Sequence, residues 1–310
     1  MSAEKHLPVW RSLLYVPATN ARFVAKSATS GADAIILDLE DSIPLAEKSH
    51  ARAAIKTAAE RAAAHGADIV VRINRPWRLL FADLEAAAIP EVAALMLPKI
   101  ESAEQVGVIA EIAGEWESER GMPPGSLGLI PMIETARGFF QAEAIARADQ
   151  RVIALTLGAE DFALSLGMEP EPEGLFYPKQ HMIIAARAAG VVPLGFLGTV
   201  ADFTDLAALR TTLRRSRRLG FLGASAIHPA QIPLINEEYA PSAAEIDRAR
   251  RLIATYDEAV SIGKGAVAFE GKMIDAPVVA RARHTLARAE AIAARLRAAP
   301  RPAQTADTGR

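Results

Sequence analysis

Along the chain, short apolar runs rich in Val, Ile and Leu alternate with longer Ala-rich stretches in which apolar residues recur every three or four positions. Continuous apolar runs closed by polar residues are the pattern of parallel strands buried on both faces, and the stretches between them have the period of amphipathic helices. Eight such runs occur, at residues 12–17, 34–40, 68–74, 94–100, 127–134, 152–158, 191–196 and 225–229. Eight strand-helix repeats predict an α/β fold of the (β/α)8 TIM-barrel type, because closure leaves no exposed edge strand. A doubly wound open sheet is the alternative, although neither GxGxxG nor GxxxxGK[ST] is present to favour a nucleotide fold.

After Pro241 the pattern changes. Residues 242–261 read as one helix starting at a Ser cap, followed by a hairpin-like stretch, GKGAVAFEGKMIDAPVV, and another helix. This predicts a catalytic barrel over residues 1–241, a C-terminal helical lid segment over 242–297, and a small, polar, proline-bearing disordered tail over 298–310.

Composition narrows the partners. The 310 residues are 51% hydrophobic and 23% charged, with a net charge of -2, so there is core enough for a barrel but no basic face for nucleic acid and no polybasic membrane anchor. No apolar run reaches about 18 residues, and the N-terminal stretch lacks the charged-then-apolar order of a signal peptide. A cytoplasmic protein acting on small molecules is expected. With no cysteine, any metal must be held by carboxylate, imidazole or water.

In a barrel the chemistry sits where strands end. The second run closes with Asp38, Glu40 and Asp41, the third with Arg72 and Asn74, the fourth with Lys99 and Glu101, the fifth with Glu134; the sixth is followed by Glu160 and Asp161, and the eighth ends at His228. So many ionisable groups at one mouth cost several kcal/mol per ion unless they pair or bind a cation. Glu134 and Asp161 end adjacent strands and would share one Mg²⁺, which completes its octahedron from waters and substrate oxygens. Arg72 offers a planar fork for a substrate carboxylate. The same three residues would equally make barrel-mouth salt bridges without catalysis. Asp38, Glu40 and Asp41 are either a metal cluster or, the reading favoured, anchors that hold Arg72 and nearby lysines in place. His228, before Pro229, reads as shaping a strand end, and His6, His50, His65, His181 and His284 as surface.

RSLLYVPATNARFVAKSA, GADAIILDLEDSIP, VRIN, LMLPKIES, IPMIETARG, LGAEDFA, AIHPAQIPLINEEYAPS and GKMIDAPVV resemble, in order, successive motifs of the citrate lyase β subunit and CoA-ester lyase branch of the HpcH/HpaI aldolase family. The resemblance runs from about Arg11 to Ala280. It implies a Mg²⁺-dependent carbon-carbon lyase that cleaves a malyl-, methylmalyl- or citramalyl-CoA type of thioester to an oxoacid (glyoxylate or pyruvate) and an acyl-CoA, or runs the reverse condensation. It further implies that Glu134 and Asp161 hold the metal, that Arg72 grips the oxoacid carboxylate, and that Arg22 and Lys26 hold the phosphates of coenzyme A. Asp275 matches an acid on a lid that closes over a neighbouring subunit, which implies a homo-oligomer, a trimer or hexamer. A malyl-CoA thioesterase, a citrate lyase β subunit acting on an acyl-carrier-protein thioester, an aldolase of CoA-free hydroxyacids, and a metal-binding module without turnover are the other readings. Ala18, the small pair Ala224 and Ser225, and Tyr177-Pro178-Lys179-Gln180 depart from residues common in the family, which bears on the shape of the acyl pocket.

Overall fold

The computed structural model describes residues 7–199 and 205–298. Each of the eight apolar runs forms a parallel strand: β1 (Ser12–Pro17), β2 (Ala34–Asp38), β3 (Asp68–Arg72), β4 (Val92–Leu97), β5 (Gly128–Ile133), β6 (Ala154–Leu157), β7 (Val192–Leu194) and β8 (Ala224–Ala226). The sheet order is β7-β6-β5-β4-β3-β2-β1-β8, and a bridge between Leu194 and Gly223 brings its two ends together, giving the expected TIM barrel. A Cβ on Gly223 would meet the Trp10 carbonyl at 2.3 Å, so a side chain there would push β8 away from the chain entering β1. The runs 34–40 and 68–74 overshoot their strands because Glu40 and Asn74 have left the ladder for the mouth.

Helices α1 (Ala21–Ser27), α2 (Lys48–Ala62), α3 (Trp77–Ala87), α4 (Ala103–Glu119), α5 (Ala136–Phe140), α6 (Ala142–Arg147), α7 (Ala159–Leu166), α8 (Pro172–Ala188), α9 (Leu206–Leu219) and α10 (Ile232–Glu238) follow the strands. Along β2, Ala34 and Ile36 face a core inside the barrel while Ile35 and Leu37 face the helices. The same alternation puts Leu13, Val70, Ala94, Met96, Ile130, Met132 and Ala154 inside. Continued upward by two residues, it makes Tyr15, Asp38, Arg72, Glu134 and Thr156 the next inward positions, and these form the wall of the mouth.

Ser242 caps α11 (Ala243–Ser261) through a reciprocal pair with Glu245, as the sequence signature requires. The hairpin β9 (Val267–Phe269) and β10 (Lys272–Ile274) turns at Glu270 and Gly271, both with positive φ. The last helix, α12 (Ala276–Ala298), packs on α11 and then runs under the barrel. Arg288 donates to the Leu222 carbonyl at 2.8 Å and Arg295 reaches Asp68 at 2.6 Å and the Asp33 carbonyl. Asp33 and Leu222 precede β2 and β8 and Asp68 begins β3, so this end of α12 closes the face opposite the mouth. Ala298 ends that helix, and the rest of the expected tail lies outside the described residues. Among the described residues no helix is long and apolar enough to cross a membrane.

Candidate active site

The C-terminal ends of the strands surround a cavity of about 590 Å³, lined among others by Tyr15, Asp38, Asp41, Arg72, Glu134 and Asp161. Arg72 is 9% exposed and Asp38 2%. Asp38 takes both edge nitrogens of the guanidinium, Nε at 2.7 Å and Nη2 at 2.8 Å. Burial opposes ionisation of Asp38, but the Arg72 hydrogen bonds and charge outweigh it and hold the carboxyl below its ordinary value. The fork that the sequence suggested for a substrate is thus filled by Asp38. The remaining edge, Nη1, lies 3.0 Å from Asp41 Oδ2 and 2.8 Å from Glu40 Oε2, and Asp41 is largely exposed. The Arg72 guanidinium also lies 5.0 Å from the centroid of the Tyr15 ring.

Glu134 is 3% exposed. Its Oε2 accepts from the backbone N–H of Lys99 at 2.7 Å, and Lys99 holds the left-handed conformation, φ 52°, that few non-glycine residues adopt. Burial first, and then the nearby charge of Glu40, push the Glu134 carboxyl up to about 7. Its space comes from Gly158, where a Cβ would stand 2.3 Å from Glu134 Oε1. Gly158→Ala is therefore expected to displace the Glu134 carboxylate and weaken Mg²⁺ binding at least tenfold while the barrel still folds, which calorimetric titration and circular dichroism would check.

Lys99 Nζ lies 2.9 Å from Glu40 Oε1 and 3.5 Å from Asp161 Oδ2. Burial works against this ammonium, yet the Glu40 contact raises it above its ordinary value. Glu40 itself is raised, by burial, and its Oε2 is buried without a well-directed hydrogen bond. A positive charge already rests among these oxygens, one carboxylate is held high by desolvation, and the buried Glu40 Oε2 has an ion-pair contact to Arg72 but no well-directed hydrogen bond. That donor set fits a hard divalent cation. Among the described residues no three His, Asp or Glu side chains converge as a complete cage, so such an ion would take Glu134 and Asp161 and keep positions for water and substrate, the habit of Mg²⁺.

The raised value of Glu134 also sets a pH dependence. Between the ordinary 4.5 and about 7 the folded chain holds a proton that the unfolded chain has lost, so stability falls as pH rises through that window. Without divalent cations, the stability of the wild type relative to Glu134→Gln is expected to decline from pH 4.5 to 7 by roughly 1–3 kcal/mol, read by urea denaturation.

The other expected residues are placed as follows. Arg22 and Lys26 are exposed on α1, one turn apart, with Phe23 between them lining the cavity. Asp275 is not among the cavity-lining residues; it precedes α12 and accepts from the Val278 N–H at 3.4 Å. Thirteen residues of helix, about 20 Å, separate it from Arg288 under the barrel. His228 is exposed, its Nδ1 accepting from the Ala230 N–H, whereas His181 is half-buried, its ring 4.5 Å from that of Phe139, and so is not a plain surface residue.

Sequence reasoning missed Lys179. It lines the cavity at 3% exposure, with Nζ donating to the carbonyls of Phe196 and Gly198. The signal was available: on α8 it shares the buried stripe of Leu175, Met182, Ile183 and Ala186, where a lysine is out of place unless it has a task.

Most of the chain is similar to known proteins. Residues 11–229 match the HpcH/HpaI aldolase/citrate lyase family model. The chain is 38% identical over 285 residues to the citrate lyase subunit beta of Escherichia coli (strain K12), covering 90% of this chain and 93% of that one. It is 36% identical over 290 residues to a (3S)-malyl-CoA thioesterase of Cereibacter sphaeroides (strain ATCC 17029), covering 92% and 96%. Among solved structures it is similar to CitE from Mycobacterium tuberculosis in complex with magnesium, acetoacetate and coenzyme A, with a TM-score of 0.72, 34% identity, and coverage of 90% and 97%.

Proposed function

The chain belongs to the HpcH/HpaI aldolase/citrate lyase family, and on that premise we propose that it is a Mg²⁺-dependent carbon-carbon lyase acting on a 3-hydroxyacyl-CoA thioester of the malyl, methylmalyl or citramalyl type. The observation that carries this reading is the buried, desolvated Glu134 in one cavity with Asp161 and Arg72. Relatives crystallised with magnesium, coenzyme A, acetoacetate, pyruvate or oxaloacetate support the same ligand classes.

Glu134 and Asp161 would hold the ion. When bound, it supplies Lewis-acid polarisation of the oxygen that becomes the oxoacid carbonyl. Arg72 takes the substrate carboxylate on its Nη1 edge, from which the exposed Asp41 is the carboxylate free to swing, while Asp38 keeps the guanidinium in place. Met132, Phe196 and Ile227 on the cavity wall cover the acyl portion and limit water. Arg22 and Lys26 flank the rim and meet the phosphates of coenzyme A. Asp275 delivers the proton that the acyl-CoA enolate needs, from the lid of a second copy of the chain, since it does not line the cavity of its own chain; a positioned donor of this kind is worth about 10²- to 10⁴-fold.

Metal dependence and the lid are tested together. Turnover is expected to stop in EDTA and return with Mg²⁺. Glu134→Gln and Asp275→Asn chains, each inactive alone, are expected to recover turnover when co-expressed, because a mixed oligomer holds one intact barrel facing one intact lid. Failure of that complementation, with both chains folded, removes the lid from the mechanism. The thioesterase among the relatives keeps a second reading in view, hydrolysis of the same thioester, which releases free thiol.

A further inference from the structure

Among the described residues, Lys179 is the one buried cation of the cavity wall held by backbone alone. Its Nζ donates to the Phe196 carbonyl at 2.7 Å and to the Gly198 carbonyl at 2.5 Å, and it lies 5.6 Å from the Phe196 ring centroid. The segment after β7 thus faces it with carbonyls and an aromatic ring. From α7 the exposed Glu160 is the charge whose field reaches it; on its own helix His181 is turned onto Phe139, and from α9 Arg215 lies over Phe176 rather than over the lysine.

An ammonium has three N–H donors; a neutral amine has two and a lone pair. Both carbonyl bonds therefore survive loss of one proton, and a single position on Nζ alternates between proton and lone pair without disturbing the anchor. Burial lowers the group from 10.5 to about 7, against a smaller opposing effect of Glu160, which is the range a base needs to work near neutrality. Asp41 and Glu160, which also line the cavity, are exposed, and the other titratable groups there have tasks already. Asp38 is committed to Arg72, Glu40 to Lys99, and Glu134 and Asp161 to the metal under the function proposed above. Burial pushes the Tyr15 phenol up, out of useful range.

We propose that Lys179 is the general base that takes the substrate hydroxyl proton as the carbon-carbon bond breaks, and returns it in condensation. The inference rests on the lyase reading. In the step, the O–H bonding pair becomes the new carbonyl bond of the oxoacid, the carbon-carbon pair passes to the thioester enolate, and the proton moves to Nζ. The enolate draws its own proton separately, from the lid acid, and the lysine then releases its proton to solvent.

Purified enzyme with Mg²⁺ and a cleaved thioester provides the test, through the pH profiles of kcat and KM for wild type, Lys179→Arg and Lys179→Ala. Arginine retains a cation and donors for the two carbonyls but does not surrender a proton near neutrality. Both variants are expected to lose about 10²- to 10⁴-fold in kcat with little change in KM, and to lose the limb in which kcat rises with pH through 7. A small primary amine is expected to restore part of the Lys179→Ala rate. Undiminished kcat and an unchanged limb in Lys179→Arg would overturn the assignment and leave the lysine as a prop for the segment after β7. Where a variant fails to fold, an NMR titration of ¹³Cε-labelled Lys179 in the wild type decides: a midpoint near 7 supports the proposal, and one near 10.5 overturns it. Absence of wild-type turnover on every thioester would instead bring down the lyase reading, and this inference with it.

Discussion

Glu134→Gln is expected to cut turnover about 10³-fold or more while leaving the protein folded, and in the presence of EDTA at neutral pH to make it more stable than the wild type. The two effects have one cause. A carboxylate buried at 3% exposure and pushed up to about 7 is costly to ionise without a cation, so the neutral amide relieves the fold as it removes the ligand. The loss of rate follows from losing charge stabilisation at the developing oxoanion, an effect worth about 10² to 10³ for a single donor and more where a metal is lost with it. The amide oxygen still accepts from the Lys99 N–H, so the geometry of the β4 end is kept. Urea denaturation and steady-state kinetics on the same preparation would check it; a variant both inactive and markedly less stable would show that Glu134 supports the barrel rather than the reaction.

Arg72→Ala is expected to be the most destabilising change at the mouth, by about 3–5 kcal/mol, because it strands Asp38 without a counter-charge inside the barrel and leaves Glu40 with Lys99 alone. Turnover would fall with it, since the substrate carboxylate loses its anchor. Arg72→Lys should recover little: one ammonium does not span the two Asp38 oxygens that Nε and Nη2 reach at 2.7 and 2.8 Å. In the double variant Arg72→Ala, Asp38→Asn much of the stability should return while activity stays absent. A coupling energy near zero in that cycle would contradict the account of the pair.

Much of this was legible in the sequence because strand burial and site position share one period. The run that ends in Glu134 alternates inward residues Ile130 and Met132, and the next inward step is the carboxylate itself. Residues deciding how a fork is used were not legible. Nothing in the spacing of Asp38 and Arg72 tells that their strands pair them directly, Asp38 beside Arg72 in the ladder, so that the arginine spends its fork on its neighbour. Asp275 could be placed on a hairpin but not on a face of the barrel, because its position depends on α12 being drawn beneath the strands by Arg288 and Arg295, long-range contacts that leave no local pattern. Lys179 was hidden by a different cause: a lysine in an amphipathic helix reads as solvated until the buried stripe is followed residue by residue.

The measurement that bears most directly on the lyase assignment is simultaneous assay of oxoacid and free thiol as the protein acts on malyl-, methylmalyl- and citramalyl-CoA with Mg²⁺. A carbon-carbon lyase releases oxoacid in step with substrate loss while the thioester stays intact in the acyl-CoA product, and no thiol appears. Thiol released in step with hydroxyacid, and no oxoacid, would contradict the account and make the same buried site that of a thioesterase.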